Sequence, residues 1–249
     1  MTPDSPNSKN LPRHIALIMD GNNRWAKKNG FPTRLGHRHG AEVAKSVINT
    51  CIQRAIPYVT LFAFSSENWV RPSSEIKSLM ALFLAVLKRR EMQQLHDKNV
   101  RLMFIGKRDD FSEKIQVGMK RAEDLTKNNT GTTVIVAADY GGRWDLVNAT
   151  KELAKKISSK EINIDEVNVD VLNSFTSLNG VPDPDLCIRT GGEQRLSNFL
   201  LWQFAYTEFY FTNCFWPDFD ESELQLALND YACRQRRYGG QNKSFRVDA

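Results

Sequence analysis

The sequence lacks the usual marks of secreted, zinc-binding and membrane-spanning proteins. Its four cysteines, Cys51, Cys187, Cys214 and Cys233, are scattered with no C-x-x-C spacing. This pattern is typical of reduced, mostly buried cysteines and not of zinc ligands or disulfides. No run of about 18 apolar residues occurs, so no membrane span is predicted. The first ten residues are polar and lack a signal core, so we expect a cytoplasmic protein with a loose N-terminal tail.

Two nucleotide-binding signatures are also missing. The chain has neither a Walker G-x-x-x-x-G-K-[ST] motif nor a G-x-G-x-x-G motif after a strand. Nucleotide triphosphatases and Rossmann dehydrogenases are therefore disfavoured. The net charge of +5 fits an anionic ligand, an anionic membrane surface or nucleic acid, and does not choose among them.

What the sequence does contain is a regular alternation of strand and helix patterns. This order predicts an α/β fold with a mostly parallel six-stranded sheet flanked by helices. With no internal repeat and no convincing linker, we expect one domain, residues 13–240, between polar tails at 1–12 and 241–249. The predicted strands are Ile15–Met19, Tyr58–Phe64, Val100–Ile105, Thr132–Tyr140, Asp185–Arg189 and Glu208–Phe211.

The first strand ends in a corner that combines an acid, a glycine and a cation. Asp20 follows the strand, Gly21 permits a turn, and Asn22 and Asn23 are predicted to cap the next helix. Arg24 adds a guanidinium that fits phosphate. A carboxylate beside an anion-binding helix start is explained if a divalent metal joins the two. The alternative is an ordinary strand–turn–helix corner.

A long helix is predicted from Ser73 to about His96, and its segment Leu79–Leu87 is apolar on every face. Such a helix is buried in a core, spans a membrane or lines an apolar cavity. This segment is too short to span a membrane. Core burial and an apolar cavity both remain open.

Polar residues follow three of the predicted strands. Because the carboxyl ends of parallel strands share one edge, these residues are expected to meet there. Several arginines, glycine turns and hydroxyls around one central carboxylate predict a polyanion site with bound Mg²⁺. The residues are Asp20, Asn22, Arg24, Ser65, Glu67, Asn68, Trp69, Arg71, Arg189, Arg195 and Ser197.

Five segments in order resemble the cis-prenyltransferases, and the similarity is strongest to the bacterial undecaprenyl diphosphate synthase type. They are H-I-A-L-I-M-D-G-N-N-R-W from His14, G-H at Gly36, F-S-S-E-N-W-V-R-P from Phe64, Y-G-G-R-W from Tyr140, and I-R-T-G-G-E-Q-R-L-S-N-F-L-L from Ile188. The Asp-Asp-x-x-Asp signature of trans-prenyl synthases is absent, since Asp109-Asp110 has no third Asp at the needed spacing.

The resemblance implies a Mg²⁺-dependent transferase of isoprenoid biosynthesis. It would condense isopentenyl diphosphate repeatedly onto farnesyl diphosphate to give a long polyprenyl diphosphate, the precursor of the cell-wall lipid carrier. It also implies a homodimer, an apolar tunnel for the growing chain, and transient contact with a membrane surface for product release.

Residue roles are carried over from the resemblance by motif. Asp20 binds Mg²⁺ and promotes loss of the allylic diphosphate, Glu208 is a second metal contact, and Asn68 acts near the transferred proton. Because a carboxamide is a poor base, we expect Asn68 to position the substrate while a diphosphate oxygen takes the proton. The substrate-binding residues are Gly21, Asn22, Asn23, Arg24, Trp25, Thr33, Arg34, His37, Ser65, Ser66, Glu67, Trp69, Arg71, Arg189, Arg195, Leu196 and Ser197.

This chain departs from the family pattern at three positions. Asn23 stands where the family usually has Gly, and Gln194 stands where some members have His. Thr33 occupies the place of an Arg, with Arg34 next to it, so either residue could contact phosphate.

Two other classes of protein compete with this assignment. A non-catalytic partner subunit of this fold typically loses the Asp-Gly-Asn corner and the S-S-E-N-W segment, and both are intact here. A nucleic-acid-binding module fits the charge, but no Lys/Arg run with interleaved aromatics supports it, so no nucleic-acid partner is expected.

The C-terminal helix is predicted from Glu221 to Arg237. Its cations and following glycines suit an ordinary helix end. Arg237-Tyr238-Gly239 also resembles the family's Arg-x-Gly motif, which reaches across the dimer into the partner's diphosphate site.

Overall fold

The computed structural model describes residues 11–234. Six strands form one sheet in the order β3-β4-β2-β1-β5-β6, and every neighbouring pair is parallel. The α/β prediction is confirmed, and each strand lies within two residues of its predicted bounds. The strands are β1 His14–Ile18, β2 Tyr58–Ser65, β3 Arg101–Ile105, β4 Thr133–Tyr140, β5 Leu186–Arg189 and β6 Glu208–Phe211.

Helices cover both faces of the sheet. They are α1 Asn22–Lys28, α2 Thr33–Gln53, α3 Ser73–Val86, α4 Arg89–Asp97, α5 Glu113–Thr126, α6 Gly142–Ser158, α7 Val169–Asn173 and α8 Glu221–Cys233. Single 3-10 turns lie at Ser66–Val70, Ile164–Glu166, Gln203–Tyr206 and Trp216–Asp218. Within residues 11–234, no helix combines the length and the apolar character needed to cross a membrane.

The centre of the sheet is held by side chains that alternate between its two faces. All five residues of β1 are buried. Ile15 and Leu17 belong to one apolar cluster, while Ala16 and Ile18 belong to the cluster on the opposite face. This period of two is the strand geometry. Each large aliphatic side chain buried in this way stabilises the fold by about 1.5–3 kcal/mol, so the end of β1 is a rigid base for Asp20.

The predicted helix from Ser73 to His96 is wrong as a single element. It is divided into α3 and α4, and the break lies at Leu87 and Lys88, where Lys88 has extended backbone angles (φ −62°, ψ 145°). Core burial of the apolar segment is also wrong, because Leu79 is the one buried residue of α3 and Leu84 is 37% exposed.

Two other predictions for local structure are corrected. The Lys, Gly and Pro content of the polar segment Lys27–Gly36 favours a loop, but the segment contains the end of α1 and the start of α2. The apolar sequence from Phe199 to Ala205 predicts the start of a helix, but the segment is a series of turns with one 3-10 turn. Ser197, Asn198 and Leu200 have positive φ, which right-handed helices do not accept. The end of α8 at Cys233 is followed by Arg234, and the segment 235–249, with its Arg-x-Gly motif, lies outside the described residues.

Candidate active site

Asp20 lies just past the carboxyl end of β1 and contacts cations from two directions. Its Oδ1 accepts a hydrogen bond from the Gly21 amide (2.6 Å) and lies 3.2 Å from Arg24 Nη2. Its Oδ2 accepts from Arg189 Nη2 at 3.0 Å. The backbone oxygen of Asp20 accepts from Thr190 Oγ1 (2.7 Å) and from the Trp216 amide (3.0 Å). The carboxylate is therefore fixed in place but remains about one-third exposed.

Gly21 makes the close turn at this corner sterically allowed. Its φ is +103°, and a Cβ there would lie 2.7 Å from Phe215 Cδ1. Only glycine adopts this conformation without strain. Arg24 then lies over the Phe215 ring, with its guanidinium carbon 5.4 Å from the ring centroid. The cation is held above the corner, and its side chain is 44% exposed.

Arg189, at the end of β5, is a buried cation. Its side chain is 4% exposed, and it donates to Asp20, to Ser197 Oγ (2.8 Å) and to the backbone oxygen of Arg195. Its Nε has no hydrogen-bond partner among residues 11–234. The loop after β5 thus brings Arg189 and Ser197 to Asp20, as the strand-end argument predicted. Arg195 is exposed and paired with Glu193, which also lies 3.5 Å from Arg24.

The predicted capping roles of Asn22 and Asn23 are wrong. Both residues lie inside α1, the N-cap is Gly21, and no side chain caps the helix. Asn22 Nδ2 donates to the Met19 oxygen at 3.0 Å, and Asn23 Nδ2 donates to Glu75 Oε1 at 3.0 Å. The helix start therefore keeps its free N–H groups for an anion.

The segment after β2 forms a capped 3-10 turn beside this corner. Ser65 Oγ accepts from the Glu67 amide (3.2 Å), and Asn68 Oδ1 accepts from the Ser65 amide (3.1 Å). Glu67 accepts from Ser65 Oγ and from Asn198 Nδ2 (2.7 Å). Burial would raise the pKa of Glu67, but these hydrogen bonds outweigh it and lower the pKa. Asn198 lies in a quoted motif but was not among the predicted site residues.

Glu75 is a functional candidate that sequence reasoning missed. Its Oε1 accepts from Asn23 and from Arg71 Nη1 (2.8 Å), and it lies 3.4 Å from His37 Nε2. Burial would raise the pKa of Glu75, but Asn23 and Arg71 outweigh it and lower the pKa. Burial lowers the pKa of His37, so the imidazole is mostly neutral near pH 7. One carboxylate thus connects α1, α2 and the segment that leads into α3. Its contact with Asn23 crosses 52 positions of sequence, so no local pattern signals it.

Not all of the expected site residues meet at the rim of the sheet.

 Trp25 is buried and its Nε1 donates to Asp218 at 2.6 Å. Trp69 packs edge-on against Phe64, with 4.9 Å between ring centroids. Neither tryptophan lines the cavity described below, and four other predicted residues also lie outside its lining: Thr33, Arg34, Ser66 and Leu196.

Glu208, the predicted second metal contact, lies at the other edge of the sheet. It opens β6 and aligns through Leu186 with Ile15, five residues before Asp20. At about 3.3 Å per residue, this is a separation of roughly 16 Å along the strands. Glu208 pairs with Arg234 at 2.7 Å. Within one chain, Glu208 and Asp20 therefore cannot hold the same ion.

A cavity of about 820 Å³ begins at the Asp20 corner and extends between the sheet, α2 and α3. Its mouth is polar and includes Asp20, Arg24, Asn68, Arg71 and Arg189. Its interior is mainly apolar, with side chains from Leu79, Leu82, Phe83, Val86, Leu102, Phe104, Val134 and Val136. The half-exposed apolar face of α3 is explained by this cavity, so the cavity alternative for that helix is the correct one.

The donor set at the mouth suits a metal that shares its ligands with a substrate. No group of three or more His, Cys, Asp or Glu side chains within residues 11–234 could hold a metal alone. Mg²⁺ commonly binds one or two carboxylates and completes its shell with water and substrate phosphates. Asp20, partly exposed between Arg24 and Arg189, fits that mode.

Comparison with known proteins gives the class of enzyme. A prenyltransferase family model, described as "Putative undecaprenyl diphosphate synthase", matches residues 18–239. The fold also matches the crystal structure of lavandulyl diphosphate synthase from Lavandula x intermedia in complex with dimethylallyl diphosphate. That match has a TM-score of 0.89 and 36% identity, and it covers 92% of this chain and 98% of the other.

Individual relatives indicate a narrower group within this class of enzymes. The chain is 46% identical over 239 residues to the farnesyl-diphosphate-specific ditrans,polycis-undecaprenyl-diphosphate synthase of Pseudomonas aeruginosa, covering 96% of this chain and 95% of the relative. It is 47% identical over 230 residues to an isoprenyl transferase of Neisseria gonorrhoeae, covering 92% and 90%. The chain belongs to the cis-prenyltransferase family, within the undecaprenyl diphosphate synthase group.

Proposed function

We propose that this chain is a Mg²⁺-dependent undecaprenyl diphosphate synthase. It condenses isopentenyl diphosphate repeatedly onto farnesyl diphosphate. The names of its relatives support this, since they give undecaprenyl diphosphate as the product and farnesyl diphosphate as the specific substrate. The observation that carries this proposal is the junction of a cationic rim with an apolar cavity of about 820 Å³. The rim suits two diphosphates, and the cavity suits a hydrocarbon tail, so one site accommodates both parts of the substrate.

The residues of the rim divide into two anion-binding groups. Arg24 and the free N–H groups at the start of α1 face the allylic diphosphate from the β1 side. Arg189, Arg195 and Ser197, in or after β5, face the diphosphate of isopentenyl diphosphate. Arg71 approaches from the segment after β2. Guanidinium groups bind phosphate oxygens through paired hydrogen bonds, so they fix the two substrates relative to each other.

Asp20 would hold the Mg²⁺ ion, together with the oxygens of the allylic diphosphate. The bound ion would neutralise the charge that develops on the leaving diphosphate. Asp20 is held by Gly21 and Arg189 in the position that this role requires.

Asn68 acts as a positioning group in this proposal. Its carbonyl oxygen accepts the Ser65 amide hydrogen and caps the turn, so its orientation is fixed by the backbone. A carboxamide does not accept a proton near neutral pH. The proton lost from isopentenyl diphosphate therefore passes to a diphosphate oxygen, while Asn68 directs the reacting carbon.

Assembly and location belong to the same proposal. A homodimer is expected, because the Glu208 contact to a metal would have to come from a second copy. Cytoplasmic synthesis with transient contact at the membrane surface would deliver the product as a precursor of the cell-wall lipid carrier. The net charge of +5 favours approach to an anionic bilayer.

The direct test is product sizing. The chain is incubated with farnesyl diphosphate, radiolabelled isopentenyl diphosphate and Mg²⁺, and the extracted products are separated by length. The expected product is undecaprenyl diphosphate, and its formation should stop on addition of EDTA. A chain that consumes no isopentenyl diphosphate, or that retains RNA in a salt titration instead, would contradict the proposal.

A further inference from the structure

The cavity wall between α2 and α4 is polar, in contrast to the rest of the interior. Lys45 and Asn49 of α2 line it from one side, and Glu91 of α4 and Lys98, just after α4, line it from the other. These four residues are called the side gate here. They are not part of the diphosphate rim, because Asn49 follows His37 by twelve residues in α2, roughly 18 Å along the helix axis.

Two polar bridges close the side gate. Lys45 Nζ lies 2.9 Å from Glu91 Oε2, and Lys98 Nζ donates to Asn49 Oδ1 at 2.7 Å. Each bridge joins the α2 side to the α4 side. The hydrogen bond with Glu91 is the largest cause of the raised pKa of Lys45. The ammonium group is therefore charged at neutral pH and bound across the gap.

The two bridges are weak enough to break and re-form. The side chains of Lys45 and Glu91 are 38% and 29% exposed, and exposed ion pairs are weak. Lys45 has a second carboxylate on its own helix, Glu42, at 3.3 Å, which it keeps when Glu91 is released. On the other side, α4 is separated from α3 by the break at Leu87 and Lys88, and Met92 is its one buried residue.

The size of the cavity indicates that the prenyl tail contacts the side gate. A volume of about 820 Å³ is within the 300–1,000 Å³ range of pockets that enclose a drug-sized ligand. A tail of eleven isoprene units is far larger than such a ligand. A complete tail therefore fills the apolar interior and reaches the polar wall, where the lining is held by a partly exposed ion pair and a hydrogen bond.

We propose that the side gate sets the product length: the growing tail stops against the two bridges, and their opening lets it pass out between α2 and α4. This inference rests on the proposed use of the cavity for the prenyl tail. An apolar tail that passes the gate must separate the charged pair Lys45 and Glu91. The free energy needed to separate this pair slows each further condensation. Weakening the bridges should therefore give longer products.

The test compares product lengths among variants of the full chain in the sizing assay. Lys45→Ala combined with Lys98→Ala should raise the fraction of products longer than the main wild-type product by about threefold, the effect of losing weak ion pairs. Lys45→Arg keeps the charge and should keep the wild-type distribution. Lys155→Ala, which removes an ion pair on α6, is the surface control.

A charge exchange makes the result specific to the pair. Lys45→Glu alone should give longer products, and Lys45→Glu with Glu91→Lys should restore the wild-type lengths. Folded variants, checked by Tm, with wild-type or shorter product lengths would overturn the gate. Absence of any polyprenyl product from the wild-type chain would instead overturn the proposed function, so the two failures are distinguishable.

Discussion

At the scale of single residues, Asp20 combines two duties that a substitution can separate. It holds Arg24 and Arg189 in place, and in the proposed function it binds Mg²⁺. Asn is nearly the same size as Asp but keeps only one acceptor oxygen, so it can accept from the Gly21 amide or from Arg189 and not from both. The negative charge is lost, and with it the metal ligand.

We therefore expect Asp20→Asn to lower turnover about 100-fold or more, since metal-assisted charge stabilisation contributes several kcal/mol. The Tm should change by only a few degrees. Turnover is measured across a Mg²⁺ titration, with EDTA-treated wild-type chain for comparison. Turnover that survives both the substitution and EDTA would exclude the metal role of Asp20.

Glu75 gives a second prediction at this scale. Glu75→Gln removes the charge that Arg71 and Asn23 hold, while the side chain keeps its length. Loss of one partner from a partly buried polar network costs about 1–3 kcal/mol. If that network orders the segment Ser65–Arg71 around substrate, kcat/KM should fall about tenfold or more.

The control for Glu75 is Glu152→Gln, which removes an exposed partner of Lys155 on α6. It should leave kcat/KM unchanged. Equal kcat/KM for Glu75→Gln and the wild-type chain would show that Glu75 contributes only to packing around His37.

At the scale of elements, the crossing of α1 and α2 depends on small residues. An added Cβ at Gly36 would lie 2.2 Å from the backbone oxygen of Asn22. Backbone atoms cannot rotate away as a flexible side chain does. We expect Gly36→Ala to destabilise the fold by about 1–3 kcal/mol and to shift the Asp20 corner, which adjoins Asn22.

Urea unfolding and turnover, measured together, test this prediction. Gly118→Ala is the matched control, because Gly118 is also inside a helix but faces the flexible end of Leu87, with a contact of 3.2 Å. It should cost little, since alanine favours helix over glycine. A Gly36→Ala chain with wild-type stability would mean that α1 moves freely against α2.

Elements with a strong local pattern were predictable from the sequence. β1 and β4 each contain a continuous apolar run, Ile15–Ile18 and Val134–Ala138, and the position of their carboxyl ends follows from the parallel order. The break between α3 and α4 was not predictable, because Leu87-Lys88-Arg89 contains no proline or glycine and suits a helix. The turns at Ser197, Asn198 and Leu200 were missed because their positive φ depends on contacts between distant segments.

The candidate site also contains residues that the sequence predicted and residues that it did not. Asp20 and Arg189 were placed at the carboxyl edge of the sheet because they lie just past the end of β1 and at the end of β5, two neighbouring parallel strands. The network of Glu75 was missed, since it joins residues from three separate elements. Trp25 was expected at the substrate, but packing of its large ring in the core decided its position.

At the scale of the whole molecule, stability should fall in mild acid because of His14. This residue is fully buried, Nδ1 lies 2.6 Å from the Pro182 oxygen, and Nε2 lies 2.7 Å from Thr60 Oγ1. Burial lowers its pKa from 6.5 to about 4. The unfolded chain binds the proton first, so stability is full above pH 6.5 and is lost as the pH falls towards 4.

The expected loss from this one group is about 3 kcal/mol. It is measured as the difference in the free energy of unfolding between the wild-type chain and His14→Gln, at several pH values from 7 to 4. That difference should shrink by about this amount as the pH falls. A difference that is constant with pH would show that His14 does not resist protonation in the folded chain.

Release of product should limit turnover of the whole molecule. Each CH₂ group that leaves water for an apolar cavity is stabilised by roughly 0.8 kcal/mol, and the interior of this cavity is mainly apolar. A finished polyprenyl tail is therefore held tightly, while its synthesis continues only until the cavity and its exit are filled. We expect a rapid first turnover followed by a slower steady rate, and detergent or lipid should raise the steady rate by accepting the tail. Limiting isopentenyl diphosphate supplies the control, because short products are weakly held and their release should not respond to detergent. A time course with no initial burst, at a rate that detergent does not change, would place the slow step in condensation instead.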